Sequence, residues 1–394
     1  MTALDGIKAR YDVVVVGARA AGAATAMLLA RQGLRVLAVD RGAYGTDTLS
    51  THALMRAGVL QLARWGLLDR IEAEGTPRVR RTVFHYEDEV VDIPIKAKDG
   101  VPALFAPRRT VLDRVLVDAA VETGAAVRHH VRVADLVRGS GGRVEGVLLR
   151  DDEGGAMAVR AGTVIGADGL RSTVASLVGA PVTRQGRHAS AVVYGYWSGL
   201  EVDGYRWHWG RDAAAGLIPT NGGLVLLYAG VSSRRFAEET RADIPGCYRR
   251  ILEEAAPELA GRLPEARLEG TLHGFPGHPG FLRRPWGPGW ALVGDAAYFK
   301  DPITAHGISD ALRDAEFVAR AVGRGTDAAM AEYELARDEL STSLLEVTDR
   351  IASLEWDNAE LKTLHRRLSD EMKREVAAMV ELHEETGEPA RRSA

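Results

Sequence analysis

The stretch Tyr11-Asp12-Val13-Val14-Val15-Val16-Gly17-Ala18-Arg19-Ala20-Ala21-Gly22 decides the fold class of this chain. Its unbroken valine run is typical of a strand that is buried on both faces of a parallel sheet. The alanine-rich segment 20–32 predicts a helix that Gly33 closes, and the apolar segment 34–40 predicts a second buried strand. Together these segments form a βαβ unit of the length found in dinucleotide-binding folds.

The turn between the first strand and the helix has the chemistry of a nucleotide site. Such a site needs a tight turn that aims a helix N-terminus at the pyrophosphate, and an acid on the next strand for the ribose hydroxyls. Gly17 supplies the turn, Gly22 allows close helix–strand packing, and Asp40 has the position of the acid. Arg19 replaces the middle glycine of G-x-G-x-x-G, where its Cβ crowds the pyrophosphate or its guanidinium binds it. The predicted nucleotide site also includes Ala21 and Arg41.

Two later segments indicate FAD rather than NAD. Gly166-Ala167-Asp168-Gly169 ends a predicted strand, and Gly294-Asp295-Ala296-Ala297 follows another and leads into Asp301-Pro302. With the first glycine turn, and in this order, they resemble the FAD-binding signature of the flavoprotein aromatic hydroxylases, the group A flavoprotein monooxygenases. The same superfamily contains flavin halogenases and geranylgeranyl reductases. The resemblance extends over about residues 11–322.

The resemblance implies roles for several residues around the flavin. Asp168 matches the family aspartate that organises the pyrophosphate and a transiently bound nicotinamide. Arg109, at the head of the predicted helix 109–123, matches a flavin-contacting arginine. Gly294 and Asp295 match the motif whose carboxylate bonds the ribityl chain.

The same resemblance places a further group near the isoalloxazine ring. Pro302 matches the family proline beside the ring, and Gly307 and Ile308 open a helix whose N–H groups face the N1–O2 edge. A helix N-terminus stabilises anions, and reduced flavin is anionic at that edge. Ser50 and Thr51 offer hydroxyls that cover the ribityl side of the flavin or cap the helix that follows them.

The predicted fold is α/β with two domains and a helical end. We expect a Rossmann-like FAD-binding domain of the glutathione-reductase type, a substrate domain built on an antiparallel sheet, and C-terminal helices that pack on the FAD-binding domain. The expected bounds are 1–79, 101–186 and 274–325 for the first, 80–100 and 187–273 for the second, and 326–394 for the third.

Composition excludes several other classes of protein. The net charge of −4 is small, and basic and acidic residues are interspersed, which argues against a nucleic-acid partner. Cys247 is the single cysteine, so neither a disulfide framework nor a thiolate metal site is expected. The polar segment 1–10 lacks a secretory leader and no apolar run has transmembrane length, so we expect a cytoplasmic protein, monomeric or homodimeric.

The resemblance implies a FAD-dependent monooxygenase that hydroxylates an aromatic or polyketide-like small molecule with O2 through a flavin C4a-hydroperoxide. NADPH or NADH is the expected reductant, unless a separate flavin reductase supplies reduced FAD. The alternatives are a reductase of isoprenoid C=C bonds and a flavin-binding regulator without catalysis. The halogenase branch is disfavoured, because Ala214 and Gly216 stand where the tryptophans of its W-x-W-x-I-P motif belong.

Aromatic residues on the predicted strands of the second domain are the candidates for substrate binding. Alternation puts Trp207 and Trp209 on one face of a strand and His208 on the other. Imidazole titrates near neutrality, so His306, His208 and His273 are candidate bases, with His306 closest to the flavin motif. No metal site is predicted. The substrate-binding candidates are Tyr196, Trp207, Trp209 and Tyr228.

Overall fold

The computed structural model describes residues 2–87, 89–239 and 243–384. The last ten residues of the predicted C-terminal segment, and residues 1, 88 and 240–242 of the other predicted domains, lie outside the described residues.

The helices of the described chain occur in every part of the predicted organisation. They are α1 Ala20–Arg31, α2 Arg56–Arg64, α3 Leu68–Ala73, α4 Arg109–Glu122, α5 Thr173–Val178, α6 Ser233–Glu239, α7 Ile244–Ala255, α8 Pro257–Arg262, α9 Gly307–Arg324, α10 Asp327–Ala352 and α11 Asn358–Glu384. None of these described helices combines the length and the apolar character needed to cross a membrane.

The strands belong to three sheets. They are β1 Arg10–Val16, β2 Val36–Val39, β3 Arg81–Tyr86, β4 Glu89–Pro94, β5 Ala126–Arg128, β6 Val131–Arg138, β7 Val144–Asp151, β8 Ala156–Gly166, β9 Val182–Gln185, β10 Ser190–Ser198, β11 Tyr205–Gly210, β12 Ala213–Pro219, β13 Val225–Ser232, β14 Arg267–Phe275, β15 Phe281–Arg283, β16 Trp286–Gly287, β17 Trp290–Leu292 and β18 Tyr298–Phe299.

The first sheet is the one that the valine run predicts. Its order is β16-β17-β8-β1-β2-β5, and β1 pairs in parallel with both β2 and β8. Val13, Val14 and Val15 are fully buried because α1 and α9 cover one face, whereas β6, β7 and α5 cover the other. The chain therefore has the mixed α/β architecture that was predicted, with the carboxyl ends of β1, β2, β8 and β17 at one edge.

The second sheet forms the other lobe and has the order β14-β10-β13-β12-β11-β3-β4. Its pairings are antiparallel, as predicted, with one difference: β3 and β11 run parallel. This difference arises because the β3–β4 hairpin enters the sheet from a distant part of the chain and adds to its edge beside β11.

The C-terminal helices pack on both lobes, whereas the sequence indicated contact with the first lobe. Val376 and Met379 of α11 join the core beneath the parallel sheet. Leu344 of α10 and Leu361 of α11 instead pack in the cluster that holds Trp207 and the inner face of the second sheet. The helical end therefore joins the two lobes, since its apolar residues are divided between two cores.

Candidate functional site

The glycine turn after β1 brings three chain segments into close contact. Gly17 has a φ of 99°, and a Cβ placed there would lie 2.4 Å from the carbonyl oxygen of Ala167. A Cβ on Gly22 would lie 1.8 Å from the carbonyl oxygen of Gly17, so a larger residue has no room at either position. No side chain among the described residues caps the N-terminus of α1, which leaves its first N–H groups available to an anion.

Asp40 ties this turn to the segment that follows β2. Its carboxylate accepts hydrogen bonds from the N–H of Ala18 at 2.8 Å and from the N–H of Gly42 at 2.7 Å. A carboxylate has about four acceptor positions, so hydroxyl donors can still bind. The neighbouring Arg41 is exposed.

Arg19 points toward protein groups in this structure. Its guanidinium donates to the Thr46 carbonyl at 3.1 Å and to the Asp113 carboxylate at 3.2 Å. Arg109 makes a two-pronged contact with the same carboxylate, at 3.0 and 3.1 Å. The buried Asp113 thus joins the glycine turn to the head of α4, an arrangement that the sequence motifs did not indicate.

Asp168 stabilises a short helix beside the nucleotide turn. Its carboxylate accepts from the Ser172 hydroxyl at 2.5 Å and from the Thr173 N–H at 2.6 Å, which caps the start of α5. The carboxylate is therefore held in a fixed orientation at the carboxyl end of β8.

Asp295 has a different environment from the other carboxylates of the site. It follows β17 in the loop of residues 293–306, here named the GD loop, and it is half-buried. Burial raises its pKa to about 6, although Arg109 and Lys300 oppose the rise. In the described chain its carboxylate accepts no hydrogen bond from the protein, so a ligand hydroxyl would complete its environment. Gly294 packs its backbone against Ala21, where a Cβ would lie 3.0 Å from the Ala21 Cβ.

The N-terminus of α9 is open in the same way as that of α1. No described side chain caps it, and a Cβ added to Gly307 would meet no atom within 4 Å. Gly307 is exposed although His306 and Ser309 on either side are buried, and Ile308 is half-buried. The open space lies at the helix end, where an anionic group is favoured.

The segment after Thr48 lies against the second sheet. The N–H of Ser50 donates to the Tyr194 hydroxyl at 3.2 Å, and the Ser50 hydroxyl accepts from the N–H of His52. The predicted capping role of Ser50 and Thr51 is not observed, because α2 begins at Arg56 and its N-cap, Met55, makes no side-chain bond.

His52 and Tyr196 form a buried pair that sequence reasoning did not single out. The His52 Nε2 hydrogen-bonds the Tyr196 hydroxyl, and the Arg108 guanidinium lies 4.1 Å from the centre of the tyrosine ring. Burial lowers the pKa of His52 to about 3, so its imidazole is neutral. Its φ of 63° is in the left-handed region, a strain that is common at functional sites. In the sequence, His52 is a single histidine at the end of a polar segment, and nothing there indicates that it pairs with Tyr196.

A narrow cavity of about 20 Å³ separates the second sheet from the GD loop. Trp207 and Tyr228 line the sheet side, and Pro302 and Ala305 line the loop side. Thr51 and Ser190 add two hydroxyls to a mostly apolar lining. The cavity therefore suits an apolar or aromatic molecule with few polar groups.

The other aromatic candidates lie outside this lining. Trp209 shares the face of Trp207, as predicted, but its ring packs on Trp356 of the α10–α11 connection, 5.8 Å between ring centres. Tyr196 contacts His52, as described above, and His273 stacks on Tyr194 at 5.2 Å. Tyr194, Tyr196 and Trp209 pack in the same buried cluster as Trp207 and Tyr228.

His208 lies on the face of the sheet that points away from the cavity. Its ring stacks on His85 with 4.0 Å between centres and 9° between planes, and burial lowers its pKa to about 3. The Glu258 carboxylate approaches the same pair at 3.9 Å from the His208 Nδ1. Imidazole lone pairs lie in the ring plane, so two parallel rings cannot both direct them at one ion. We therefore assign His208 neither to the cavity nor to a metal.

Hydrogen bonds join the GD loop to β10 of the second sheet and to α11. Asp301 accepts from the N–H and the hydroxyl of Ser190 in β10, at 2.6 and 2.5 Å, and burial raises its pKa to about 6. Ala305 has a left-handed φ of 51°, which brings His306 under the loop. There the His306 Nε2 bonds Glu375 of α11 at 2.5 Å, in the core and not at the cavity.

The parallel sheet, its two uncapped helix N-termini, the half-buried Asp295 and the adjacent apolar cavity define a nucleotide-dependent oxidoreductase. The family model for the FAD binding domain matches residues 10–223, more than half of the 394 residues. The chain therefore belongs to the FAD-binding domain family, and it is a FAD-dependent oxidoreductase. The resemblance predicted from the three motifs is thereby confirmed.

Similar proteins include reductases and a hydroxylase. The chain is 29% identical over 341 residues to a menaquinone reductase of Mycolicibacterium smegmatis, covering 80% of this chain and 77% of the relative. It is 31% identical over 328 residues to digeranylgeranylglycerophospholipid reductase 1 of Methanopyrus kandleri, covering 77% of each. It is 27% identical over 383 residues to the phenazine 1,6-dicarboxylic acid hydroxylase PhzS of Lysobacter antibioticus, covering 89% of this chain and 90% of the relative.

The fold itself recurs in solved structures. The flavin-dependent brominase Bmp2 superposes with a TM-score of 0.76 at 20% identity, covering 95% of this chain and 100% of the brominase. At this identity the similarity concerns the fold.

Proposed function

We propose that this protein is a FAD-dependent monooxygenase that hydroxylates a small aromatic or polyketide-like molecule, with O2 as oxidant and NADPH or NADH as reductant. The apolar and aromatic lining shared by Trp207, Tyr228 and the GD loop carries the proposal. The cavity has a volume of about 20 Å³, which admits about one water molecule, so an aromatic substrate would enter only as the GD loop and the facing side chains move apart. Its apolar lining would then exclude water from the bound rings.

The chain would hold FAD with the groups that have open positions. The N-terminus of α1 and the Gly17–Gly22 turn would bind the pyrophosphate, Asp40 would accept from the ribose, and Asp295 would accept from the ribityl chain. The N–H groups of Gly307 and Ile308 would face the N1–O2 edge. When bound, FAD supplies the electron transfer and the activation of O2.

The remaining candidates would act around this core. Arg109 would hold the head of α4 against the flavin through its pair with Asp113, and Asp168 would fix the α5 turn near the pyrophosphate. Thr51 and Pro302 would border both the flavin and the cavity. Arg19 and Arg41 would remain at the solvent side of the nucleotide, with Arg19 held by Asp113.

The proposed domain division keeps the predicted bounds, with a FAD-binding domain of the glutathione-reductase type. The β3–β4 hairpin supports it, because this hairpin pairs with β11 of the second sheet. We propose a cytoplasmic monomer or homodimer, without nucleic-acid partners.

A second candidate is reduction of isoprenoid C=C bonds. The observation that favours it is the 31% identity to a digeranylgeranylglycerophospholipid reductase over 77% of the chain. A third arrangement, in which a separate reductase supplies reduced FAD to the monooxygenase, has the same cavity and differs only in the electron source.

Turnover by the FAD-loaded protein tests these proposals. Oxidation of NADPH or NADH that phenolic or polyketide-like aromatics stimulate, with a product heavier by one oxygen, is the expected result. No turnover with NADPH or NADH, but turnover with reduced FAD, establishes the two-component arrangement. Addition of two hydrogens to an isoprenoid control contradicts the monooxygenase and supports the reductase.

A variant of the cavity links this activity to the site. Ala214 lines the cavity, and Ala214→Leu fills part of it beside Tyr228. We expect loss of aromatic-stimulated turnover of at least tenfold with unchanged FAD content. Unchanged turnover would place the substrate elsewhere.

A further inference from the structure

A group of charged side chains is buried beneath the GD loop, and the proposed chemistry does not use it. We name it the buried charge cluster. None of its members is more than 5% exposed, and they come from the GD loop, α9 and α11. The members are Lys300, His306, Asp310, Arg313, Asp314 and Glu375.

Arg313 lies at the centre of the cluster. Its guanidinium donates to Glu375 at 2.9 Å, to Asp314 at 2.7 Å and to Asp310 at 3.2 Å. The Lys300 ammonium contacts the Asp310 carboxylate. Charges removed from water in this way are stable only when they are paired, so the balance between cations and anions is tightly constrained.

The cluster is one positive charge short while His306 is neutral. Lys300 and Arg313 are then two cations that face the three carboxylates of Asp310, Asp314 and Glu375. Burial lowers the pKa of His306 despite the opposing effect of Glu375, which keeps the imidazole neutral in the unliganded protein. Burial also lowers the pKa of Lys300, but its ammonium contacts the Asp310 carboxylate, and this ion pair keeps the lysine charged.

His306 has a free position for one more proton. Its Nε2 bonds the Glu375 carboxylate at 2.5 Å, whereas its Nδ1 is buried and has no hydrogen-bond partner in the described chain. His306 is also the N-cap of α9, the residue directly before the open space at Gly307. The other titratable groups that face the cluster are Asp295 of the GD loop, and Tyr298 and Arg337, which contribute to its electrostatics.

We propose that His306 takes up a proton when the flavin bound at the N-terminus of α9 is reduced, so that the buried charge cluster becomes neutral as the flavin becomes anionic. This inference rests on the proposed FAD site. Two electrons from the reductant and one proton give a reduced flavin with one negative charge. A second proton from solvent binds the neutral imidazole of His306 and gives an imidazolium. The complete step therefore consumes two protons for two electrons, and the Glu375 carboxylate holds the imidazolium.

The pH dependence of the flavin midpoint potential counts these protons. For the FAD-loaded protein, spectroelectrochemical titration between pH 7 and 8.5 is expected to give two protons for two electrons. His306→Gln, which keeps the size and polarity of the side chain, is expected to give one. Glu375→Gln, which removes one anion and the partner of the imidazolium, is also expected to give one. His208→Asn, at an equally buried histidine outside the site, is the matched control and is expected to give two.

Two protons in both His306→Gln and Glu375→Gln would overturn the inference. A change from two to one in Lys300→Met, with His306→Gln unchanged, would assign the proton to the lysine and overturn it as well.

A second readout uses the protein without FAD. Nitrogen NMR of labelled histidines, with the His306 signal assigned by its absence in His306→Gln, is expected to show a neutral imidazole at pH 7. An imidazolium at pH 7 to 8 would overturn the inference, because no position for a proton would remain. A wild-type protein that binds no FAD contradicts the proposed function, whereas FAD binding with an unchanged proton count contradicts only the role of His306.

Discussion

The substitution Asp295→Asn is expected to weaken FAD binding and to stabilise the apo-protein. Substitution of a purely structural aspartate would not have these two opposite effects. The wild-type carboxylate is half-buried and has no hydrogen-bond donor among the described groups, so its ionised form is poorly solvated. A FAD hydroxyl would supply the missing donor. The amide keeps the size of the side chain and removes the charge. The same substitution therefore lowers the affinity for FAD and removes a poorly solvated charge from the apo-protein.

The expected magnitudes follow from the pKa of this carboxyl. A hydrogen bond to a charged acceptor contributes about 1–2 kcal/mol more than one to a neutral acceptor, so FAD affinity should fall about tenfold. The rise of the Asp295 pKa from 3.8 to about 6 corresponds to at most about 3 kcal/mol of folded-state destabilisation. Partial exposure reduces this to about 1–2 kcal/mol.

The sign of the stability effect depends on pH. Because the folded-state pKa is raised, the penalty for ionising Asp295 is fully present above pH 6 and disappears as the pH falls below about 4. Apo Asp295→Asn should therefore unfold about 2 °C higher than the wild type at pH 8, with no difference at pH 4. FAD affinity of the wild type should fall below pH 6, as the carboxyl takes up its proton.

Fluorescence titration with FAD and thermal unfolding of the apo-protein measure the two effects. Asp370→Asn, at an exposed carboxylate of α11, serves as the control and should change neither. Unchanged FAD affinity in Asp295→Asn, or a lower unfolding temperature at pH 8, would refute the reasoning.

Two further variants test the N-terminus of α9 and the glycine turn after β1. Gly307→Ala should leave the apo-protein as stable as the wild type or slightly more stable, because the added Cβ meets no atom within 4 Å. If the flavin edge occupies that space, the affinity for FAD should fall at least tenfold. Isothermal calorimetry measures this affinity. Arg19→Gly should bind FAD with an affinity within about tenfold of the wild type. It should lose about 1 kcal/mol of stability in denaturant unfolding, since Asp113 keeps Arg109 and loses the weaker partner. Purified variant without FAD would show that the guanidinium binds phosphate.

The fold was largely predictable because its determinants are local in the sequence. The valine run, the glycine turn and the alanine helix each have one favourable conformation, and β1, α1 and β2 begin and end within two residues of the predicted bounds. The antiparallel character of the second sheet was also predicted, but alternation was not its cause, because β10, β12 and β13 are buried along almost their whole length. The parallel pairing of β3 with β11 was not predicted, because nothing in either strand specifies a neighbour more than 100 residues away.

The tight backbone turns of the candidate site were predictable, whereas its contacts between distant side chains were not. Gly17, Gly22 and Gly294 are recognisable from the sequence motifs because only glycine fits there: an added Cβ would lie within about 3 Å of another segment. The pairs Arg19–Asp113 and His52–Tyr196 join elements 94 and 144 residues apart, and no spacing rule relates them. Such contacts depend on the packing of whole elements, which a single sequence does not specify.

The C-terminal helices show why this limit matters for function. In sequence, segment 326–394 has no motif and was expected only to support the first domain. In the structure, Glu375 of α11 binds both His306 and Arg313, so the base of the GD loop is built partly by the far end of the chain. A buried carboxylate between a histidine and an arginine is costly unless both partners stay in place. Displacement of α11 would therefore alter the charge beneath the α9 N-terminus, which would make the helical end part of the proposed cofactor site and not only a cover for it.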